Sequence, residues 1–483
     1  MNILMVAGES NPFAKSGGLA DVVYALSKEL VAEGNKVSVV IPFYKKIKET
    51  HMKEHMREYE MVTTFPVYMS WRVQYCGVFR FNHEGIDYYF IDNEQYFYRD
   101  GLYGYDDDIE RFAYFNLAVV ELVLKLSLKL DVIHIHDWHA GMIPLLLQTD
   151  FRAAIDYYVP HFVLTIHNPA FQGRFDPYYL GDFFNLSDVY YRDGTVRFEN
   201  SASFLKAAIV VSDKITTVSP NHAQELLNGE HAYGLQSVIK FREYDFLGII
   251  NGVDEGEFDP RTDEHIAMTY DEDSVLEAKK KNKRALLSKF NLKNPDLPLF
   301  AVVSRLTFQK GISLVLDAIP HISGKANIII LGSGEQELES RAKFLRECFS
   351  ENVATYFGYN DDMAHKIYAA SDFFLMPSLY EPCGIGQMIA HRYGSLPIVR
   401  TTGGLKDTVI GFDGSNLDTA DGFTFDDYCL EGLLGPCLSA LDLYSYKDER
   451  HKLIKNAMRK DHSWKSSSEM YYGLYKEITN KKA

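Results

Sequence analysis

Short apolar runs rich in valine, isoleucine and leucine recur along the chain, separated by longer stretches in which apolar positions return at helical spacing. Residues 3–7 form the first run, a helix pattern follows over 18–32, and KVSVVIPFY at 36–44 makes a second strand. The stretch TTFPVYMSWRVQYCGVFRFNHEGIDYYFID then alternates tightly about a His83-Glu84-Gly85 turn, which predicts antiparallel hairpins. The earlier rhythm resumes with a helix over 109–130, the strand DVIHIHD, a helix over 140–149 and the strands HFVLTIHN and KITTVS, closing with FLGIINGVD near Asp254.

After a polar stretch between Asp254 and Pro298 the same rhythm restarts. LFAVVS (299–304), NIIILGSG (327–334), NVATYFG, DFFLMPS (372–378) and LPIVRTTGG (396–404) are short β-rich runs spaced by helical segments. The pattern predicts an α/β chain with two Rossmann-like, doubly wound domains. Ligands of such sheets bind outside the carboxyl ends of the strands, so a deep cleft between two facing domains is the expected site. The domains are expected over 1–250 and 251–455, with 456–483 a C-terminal helix packing back on the first. LEAKKKNKRALLSKF, between them, reads as a helix whose basic run from Lys279 to Arg284 is a solvated face.

Composition narrows the function classes. At 483 residues, 46% hydrophobic and 24% charged, the chain is a soluble globular protein large enough for two sizeable cores. A formal net charge of −16 argues against a sequence-blind grip on nucleic acid. No apolar run reaches the length of a membrane span, and Glu9, Asn11, Pro12 and Lys15 break any signal-peptide core. Cys76, Cys348, Cys383, Cys429 and Cys437 contain no CxxC pair, which argues for the reducing cytoplasm and against a disulfide framework or zinc ribbon. Aromatic residues, at 14%, suit sugars and bases but suit cores equally.

Candidate chemistry sits at the ends of the predicted strands. The first strand opens like a dinucleotide-binding unit but lacks G-x-G-x-x-G, and Lys15 with Gly17 and Gly18 stands at the helix start instead. In SRLTFQKG, Arg305 and Lys310 bracket a loop that ends at Gly311 and a helix, an arrangement able to hold a diphosphate. In SLYEPCGIGQ, Glu381 follows a strand, Pro382 restrains it, and Gly384 and Gly386 let the backbone approach a ligand before a helix from Gln387. A carboxylate there can hold sugar hydroxyls. HIHDWHA places His134 and His136 on one strand face, and with Asp137 and His139 they look like metal ligands. The simpler reading has Asp137 N-capping the next helix and the histidines packed or hydrogen-bonded near the cleft. His167 and Asn168 end another strand within reach of a sugar. Asp106, Asp107 and Asp108 lack EF-hand spacing, which argues against calcium. Taken singly, the cations, cap and glycines all have plain structural readings; their concurrence is what counts.

KSGGLADV (15–22), HDWHAG (136–141), TIHNPAFQG (165–173), NGVD (251–254), SRLTFQKG (304–311), EPCGIGQ and RTTGGLKDTV occur in the order found in bacterial glycogen synthases and plant starch synthases, and the chain resembles that family over almost its whole length. The resemblance implies a GT-B fold and a retaining hexosyltransferase. Glucose would pass from ADP-glucose to the nonreducing end of an α-1,4-glucan such as glycogen, releasing ADP. It further implies that Arg305 and Lys310 grip the diphosphate, and that Lys15 joins them from the other domain, with Gly17 and Gly18 allowing close approach. His167 would lie by the anomeric carbon and the glucose 6-hydroxyl, and Glu381 would hold ring hydroxyls. Tyr359 matches the position that stacks adenine. Asp21, Asp137, Asn168, Asn251, Cys383, Gly384, Ile385, Gly386, Thr402 and Gly403 complete the implied substrate-binding set. No cofactor is expected, neither metal nor pyridoxal phosphate, and no nucleic acid or membrane partner. Gly386 departs from the pattern, since many bacterial members carry threonine there. Alternatives are a UDP-glucose-dependent relative, such as sucrose synthase or a trehalose-forming enzyme, and a non-catalytic glucan-binding protein, against which the intact functional residues argue. A phosphorylase would need a pyridoxal-phosphate lysine pattern that does not stand out.

Overall fold

The first apolar run becomes β1 (Asn2–Val6), whose residues 3–6 are buried, in a computed structural model that describes residues 1–149, 160–358 and 360–480. The strands that follow are β2 (Lys36–Pro42), β3 (Glu60–Met69), β4 (Arg72–His83), β5 (Ile86–Asp92), β6 (Val132–His136) and β7 (His161–Ile166). Next come β8 (Arg174–Phe175), β9 (Arg197–Phe198), β10 (Ser201–Ser203), β11 (Lys214–Thr217) and β12 (Phe246–Gly248). They belong to the first of two units, made of Met1–Val218, Ala223–Ile249 and the described residues from Trp464 onward. One sheet runs β12-β11-β7-β6-β1-β2-β5-β4-β3. From β12 to β5 all pairings are parallel, and β4 and β3 extend the edge antiparallel. The burial follows the pairing: β5 is buried throughout, whereas β3 alternates buried Phe65, Val67 and Met69 with exposed Thr64, Pro66 and Tyr68.

The helix Gly18–Ala32 turns Val22, Val23, Leu26 and Leu30 to the core. The helix expected to reach residue 130 stops at Lys125, because Ser127 takes a φ of 48° and the Leu128 N–H returns to the Val123 carbonyl, closing the last turn. The helix Trp464–Asn480 also belongs to this unit, burying Trp464, Tyr471, Tyr475 and Ile478, whereas Lys447–Met458 belongs to the second unit.

The second unit, Ser219–His222 with Ile250–Ser463, contains β13 (Leu299–Val303), β14 (Asn327–Gly332), β15 (Val353–Phe357), β16 (Phe373–Met376), β17 (Leu396–Arg400) and β18 (Phe423–Phe425). The sheet is wholly parallel, in the order β15-β14-β13-β16-β17-β18. Numbered along the chain, that is 3-2-1-4-5-6, the doubly wound order of dinucleotide-binding sheets, and the parallel strands of the first unit begin the same way. The strand order reverses between β1 and β6 in one unit and between β13 and β16 in the other. Ligands of such sheets bind at the loops leaving these strands.

The basic run is not the solvated face that its composition predicts. On the helix Val275–Lys289, Lys279 and Lys283 are buried. Lys283 Nζ donates to Asp372 at 2.8 Å and to the Tyr444 hydroxyl at 2.8 Å. Lys279 Nζ donates to the carbonyls of Tyr393 at 2.8 Å and of Tyr368 and Ala369 at 3.2 Å each. Burial pulls the Lys279 pKa down to about 7, with Asp372 opposing and Lys283 reinforcing the pull. The unfolded chain, with a lysine near the usual ~10.4, then binds more protons than the folded one across that interval, so stability rises with pH between them. Lys279→Met is expected to flatten this rise in urea midpoints taken from pH 7 to pH 10, and to cost about 1–3 kcal/mol by removing the carbonyls' donor. An unaltered slope in the variant would assign the rise to other groups.

Candidate active site

The loop after β1 carries the first group. Glu9 is buried and its Oε2 accepts the Ser16 N–H at 2.6 Å. Burial raises the Glu9 pKa, against hydrogen bonds from Ser16 and Gly17. Lys15 is exposed, and its ammonium rests 2.8 Å from Asp21 Oδ1, an oxygen that also accepts from Asn11. A Cβ at Gly17 or Gly18 would meet nothing within 4 Å, so the unit's own packing does not require glycine at either position.

Across the switch point, Asp137 follows β6. It does not cap the next helix as its place in HDWHAG predicts, because no side-chain cap bond forms there. Its Oδ1 turns instead to the loop after β7, accepting the His167 N–H at 2.7 Å and the Asn168 N–H at 3.4 Å. This contact, between residues thirty positions apart, draws the chain away from helix capping and leaves Asp137 at a φ of 53°. Burial lifts its pKa to about 7 although both N–H groups favour the charged form. His136 Nδ1 lies 3.0 Å from His167 Nε2. Both nitrogens of His134 are engaged, with the Tyr475 hydroxyl at 2.7 Å and Thr165 Oγ1 at 2.6 Å, and His139 packs against Tyr103, Phe112 and Trp138. These histidines are built into the packing and not arrayed as ligands. Asn168 Oδ1 accepts the Ala170 N–H at 3.0 Å, holding the start of the loop.

In the second unit the loops after β13 and β16 meet. Lys310 Nζ lies 2.5 Å from Glu381 Oε2, which Ser378 Oγ also approaches at 3.1 Å. Glu381 is only 6% exposed, so this pair is a fixed element and not a surface contact. Arg305 is exposed, with no side-chain partner among the described residues. Gln309 braces the loop, taking the Leu379 N–H on its carbonyl at 2.8 Å. Farther along, the buried Gln387 donates to Gly384 O and Thr408 Oγ1 at 3.0 Å each. Its helix begins at Gly386, one residue before the expected Gln387, with Ile385 as its cap. Cys383 is buried, and that burial pushes its thiol to about 12, with the Asn251 backbone as a hydrogen-bond partner. Asn251 Oδ1 is buried with no partner among the described residues. Tyr359 lies outside the described residues.

Thr402 stands at the start of the helix Gly403–Thr408 in extended conformation, and its side chain makes no cap bond there. Gly403 has a φ of +45°, and a Cβ there would fall 1.9 Å from the Glu381 carbonyl oxygen. Gly403→Ala is therefore expected to displace the Glu381 loop and to cost at least about 2 kcal/mol, read as a lowered urea midpoint; an unshifted midpoint would contradict this tight approach.

A family model for the starch synthase catalytic domain matches residues 2–241, and one for glycosyl transferases group 1 matches residues 283–460. The chain is 42% identical over 482 residues to a glycogen synthase of Clostridium botulinum (strain Alaska E43 / Type E3), covering 99% of this chain and 100% of the relative. The chain belongs to the glycogen and starch synthase family. A glycogen synthase of Streptococcus mutans is 41% identical over 481 residues, with 99% and 100% covered. Among solved structures, the catalytic domain of starch synthase IV from Arabidopsis thaliana, bound to ADP and acarbose, matches with a TM-score of 0.89 at 31% identity over 99% of both chains. A sucrose-phosphate synthase from Thermosynechococcus elongatus, at 15% identity and a TM-score of 0.60, shares the fold. The architecture is thus the two-domain GT-B type, and the chain is a glycosyltransferase by family.

The resemblance singles out Gly386 as a departure, and the packing shows what surrounds that glycine. A Cβ at 386 would stand 3.2 Å from Phe374, 3.3 Å from Met376 Sδ and 3.3 Å from the Tyr368 hydroxyl, so these neighbours would have to yield to a threonine. Three residues that contact the candidate groups were not singled out by sequence: Glu9 under the Lys15 loop, Ser378 on Glu381, and Gln387 inside the glycine-rich loop. Glu9 had a signal, an acid leaving a buried strand at the switch point, whereas Ser378 and Gln387 declare themselves only through contacts.

Proposed function

We propose that this glycosyltransferase transfers glucose from ADP-glucose to the nonreducing end of an α-1,4-glucan with retention, releasing ADP, and so elongates glycogen. The observation that carries the reading is the Lys310–Glu381 pair, set at the switch point of the second sheet on the loop that also carries Arg305, exposed and without a side-chain partner among the described residues. Lys310 has three N–H donors and can hold a carboxylate and a phosphate oxygen together. Arg305 and Lys310 would take the negative charge that grows on the diphosphate as its bond to C1 breaks, and Lys15 would add a third cation. Glu381, with a lysine on one oxygen, suits holding sugar hydroxyls better than attacking C1, and a two-carboxylate double displacement finds no support in this pair. The acceptor hydroxyl therefore bonds to C1 on the face the diphosphate leaves, and its proton passes to the departing diphosphate oxygen. Protein from this chain, given ADP-[14C]glucose and maltoheptaose, should form label that β-amylase releases as maltose, the mark of an α-1,4 link. Labelled product resistant to β-amylase would contradict the α-1,4 link.

A further inference from the structure

His136, at the end of β6, and His167, just beyond β7, share one proton across 3.0 Å. It can be placed in two ways. If His167 donates from Nε2, His136 must carry its own hydrogen on Nε2; if His136 donates from Nδ1, His167 must carry its own on Nδ1. Each ring holds a single N–H, because burial keeps both imidazoles neutral, His167 near 3 and His136 well below its ordinary value.

The surroundings separate the two arrangements. His136 is fully buried, and its Nε2 has no hydrogen-bond partner among the described residues. A buried N–H without an acceptor is rarely tolerated, so a bare ring nitrogen belongs there. His167 is half-buried, and its Nδ1 is not among the buried, unpartnered atoms, so a hydrogen on it is not sealed away without an acceptor. The neighbours fix the pair in place. His134 stacks on His136 with ring centroids 4.3 Å apart and is itself held by Tyr475 and Thr165, while Asp137 holds the His167 backbone.

We propose that His136 is a positioning residue that donates its Nδ1–H to His167 Nε2, and so holds His167 as the Nδ1–H tautomer with a hydrogen-bond donor at its open edge. The proposal rests on the glucosyl-transfer reading together with the family resemblance that sets His167 beside the transferred glucose: the sugar oxygen it meets must then be an acceptor. It sets a polarity that packing alone does not require.

NMR of the full-length chain labelled with 15N-histidine reads the tautomer directly, with His167 assigned by the signals lost in His167→Gln. Near neutral pH and without substrate, His167 is expected to show the long-range 15N–1H pattern of an Nδ1–H imidazole. His136→Asn, whose amide can donate from about the Nδ1 position, should keep that pattern and lose only a few-fold in kcat/KM. His136→Phe, which removes the donor to Nε2, should move the 15N resonance of that bare nitrogen downfield and lose about 10–100-fold in kcat/KM. An Nε2–H pattern for His167 in the parent chain overturns the proposal even if the phenylalanine variant fails to fold, and so does an unmoved Nε2 resonance in a folded His136→Phe. Because the spectrum needs no substrate, its outcome is independent of the labelled-sugar assay on the transfer reaction.

Discussion

Glu381→Gln is expected to lower kcat by about 10²–10³ with the fold retained, the scale on which removing one preorganised electrostatic contact acts. The amide keeps the shape of the side chain and an oxygen for Lys310 and Ser378, which now bond the carboxylate at 2.5 Å and 3.1 Å. Truncation to alanine would instead leave a partly buried ammonium without its partner and confuse stability with rate. With the carboxylate neutralised, Lys310 should grip the diphosphate at least as firmly, so KM for ADP-glucose should not rise. Initial rates over a range of ADP-glucose concentrations separate the two constants. A variant with unchanged kcat and a raised KM would make Glu381 a binding residue only, and one with both constants unchanged would remove it from the site.

Lys15→Ala is expected to cost a comparable 10²–10³ in kcat/KM while leaving thermal stability within about 1 kcal/mol of the parent. The contrast follows from its setting. Its ion pair with Asp21 is exposed, with side-chain accessibilities of 46% and 31%, and pairs of that kind contribute little to folding. A large loss of rate without loss of stability would therefore place the ammonium on the diphosphate. Lys15→Arg should recover only part of the rate, because a guanidinium forks where an ammonium acts as a point charge. Near-parental activity in Lys15→Ala would exclude the lysine from catalysis.

The strand-end motifs were legible because the alternation of apolar runs with helical spacing marks each parallel strand, and the loops leaving those strands are read next to them. KSGGLADV, HDWHAG, SRLTFQKG and EPCGIGQ all fall at the carboxyl ends of the strands that flank the two switch points. Contacts at long range were not legible. Asp137 looks like a helix cap because its local sequence fits one, and only the β6–β7 pairing brings His167 and Asn168 to its carboxylate. Lys279 looks solvated because its neighbours are charged, yet three carbonyls from distant segments converge on it. The strands β8, β9, β10 and β18 are two or three residues long, too short for a period of two to register. The glycines divide in the same way: Gly403 is demanded by the Glu381 carbonyl, whereas nothing in the unit's own packing demands Gly17 or Gly18.

The identity of the donor is the central claim, and a competition between donors tests it most directly. Purified protein is given glycogen with ADP-[14C]glucose or UDP-[14C]glucose at equal concentration, and label in ethanol-precipitated polymer is counted over time. Rapid incorporation is expected from ADP-glucose and at least tenfold less from UDP-glucose. Equal or greater incorporation from UDP-glucose would contradict the donor assignment, and no label in polymer from either sugar nucleotide would contradict glucan elongation itself.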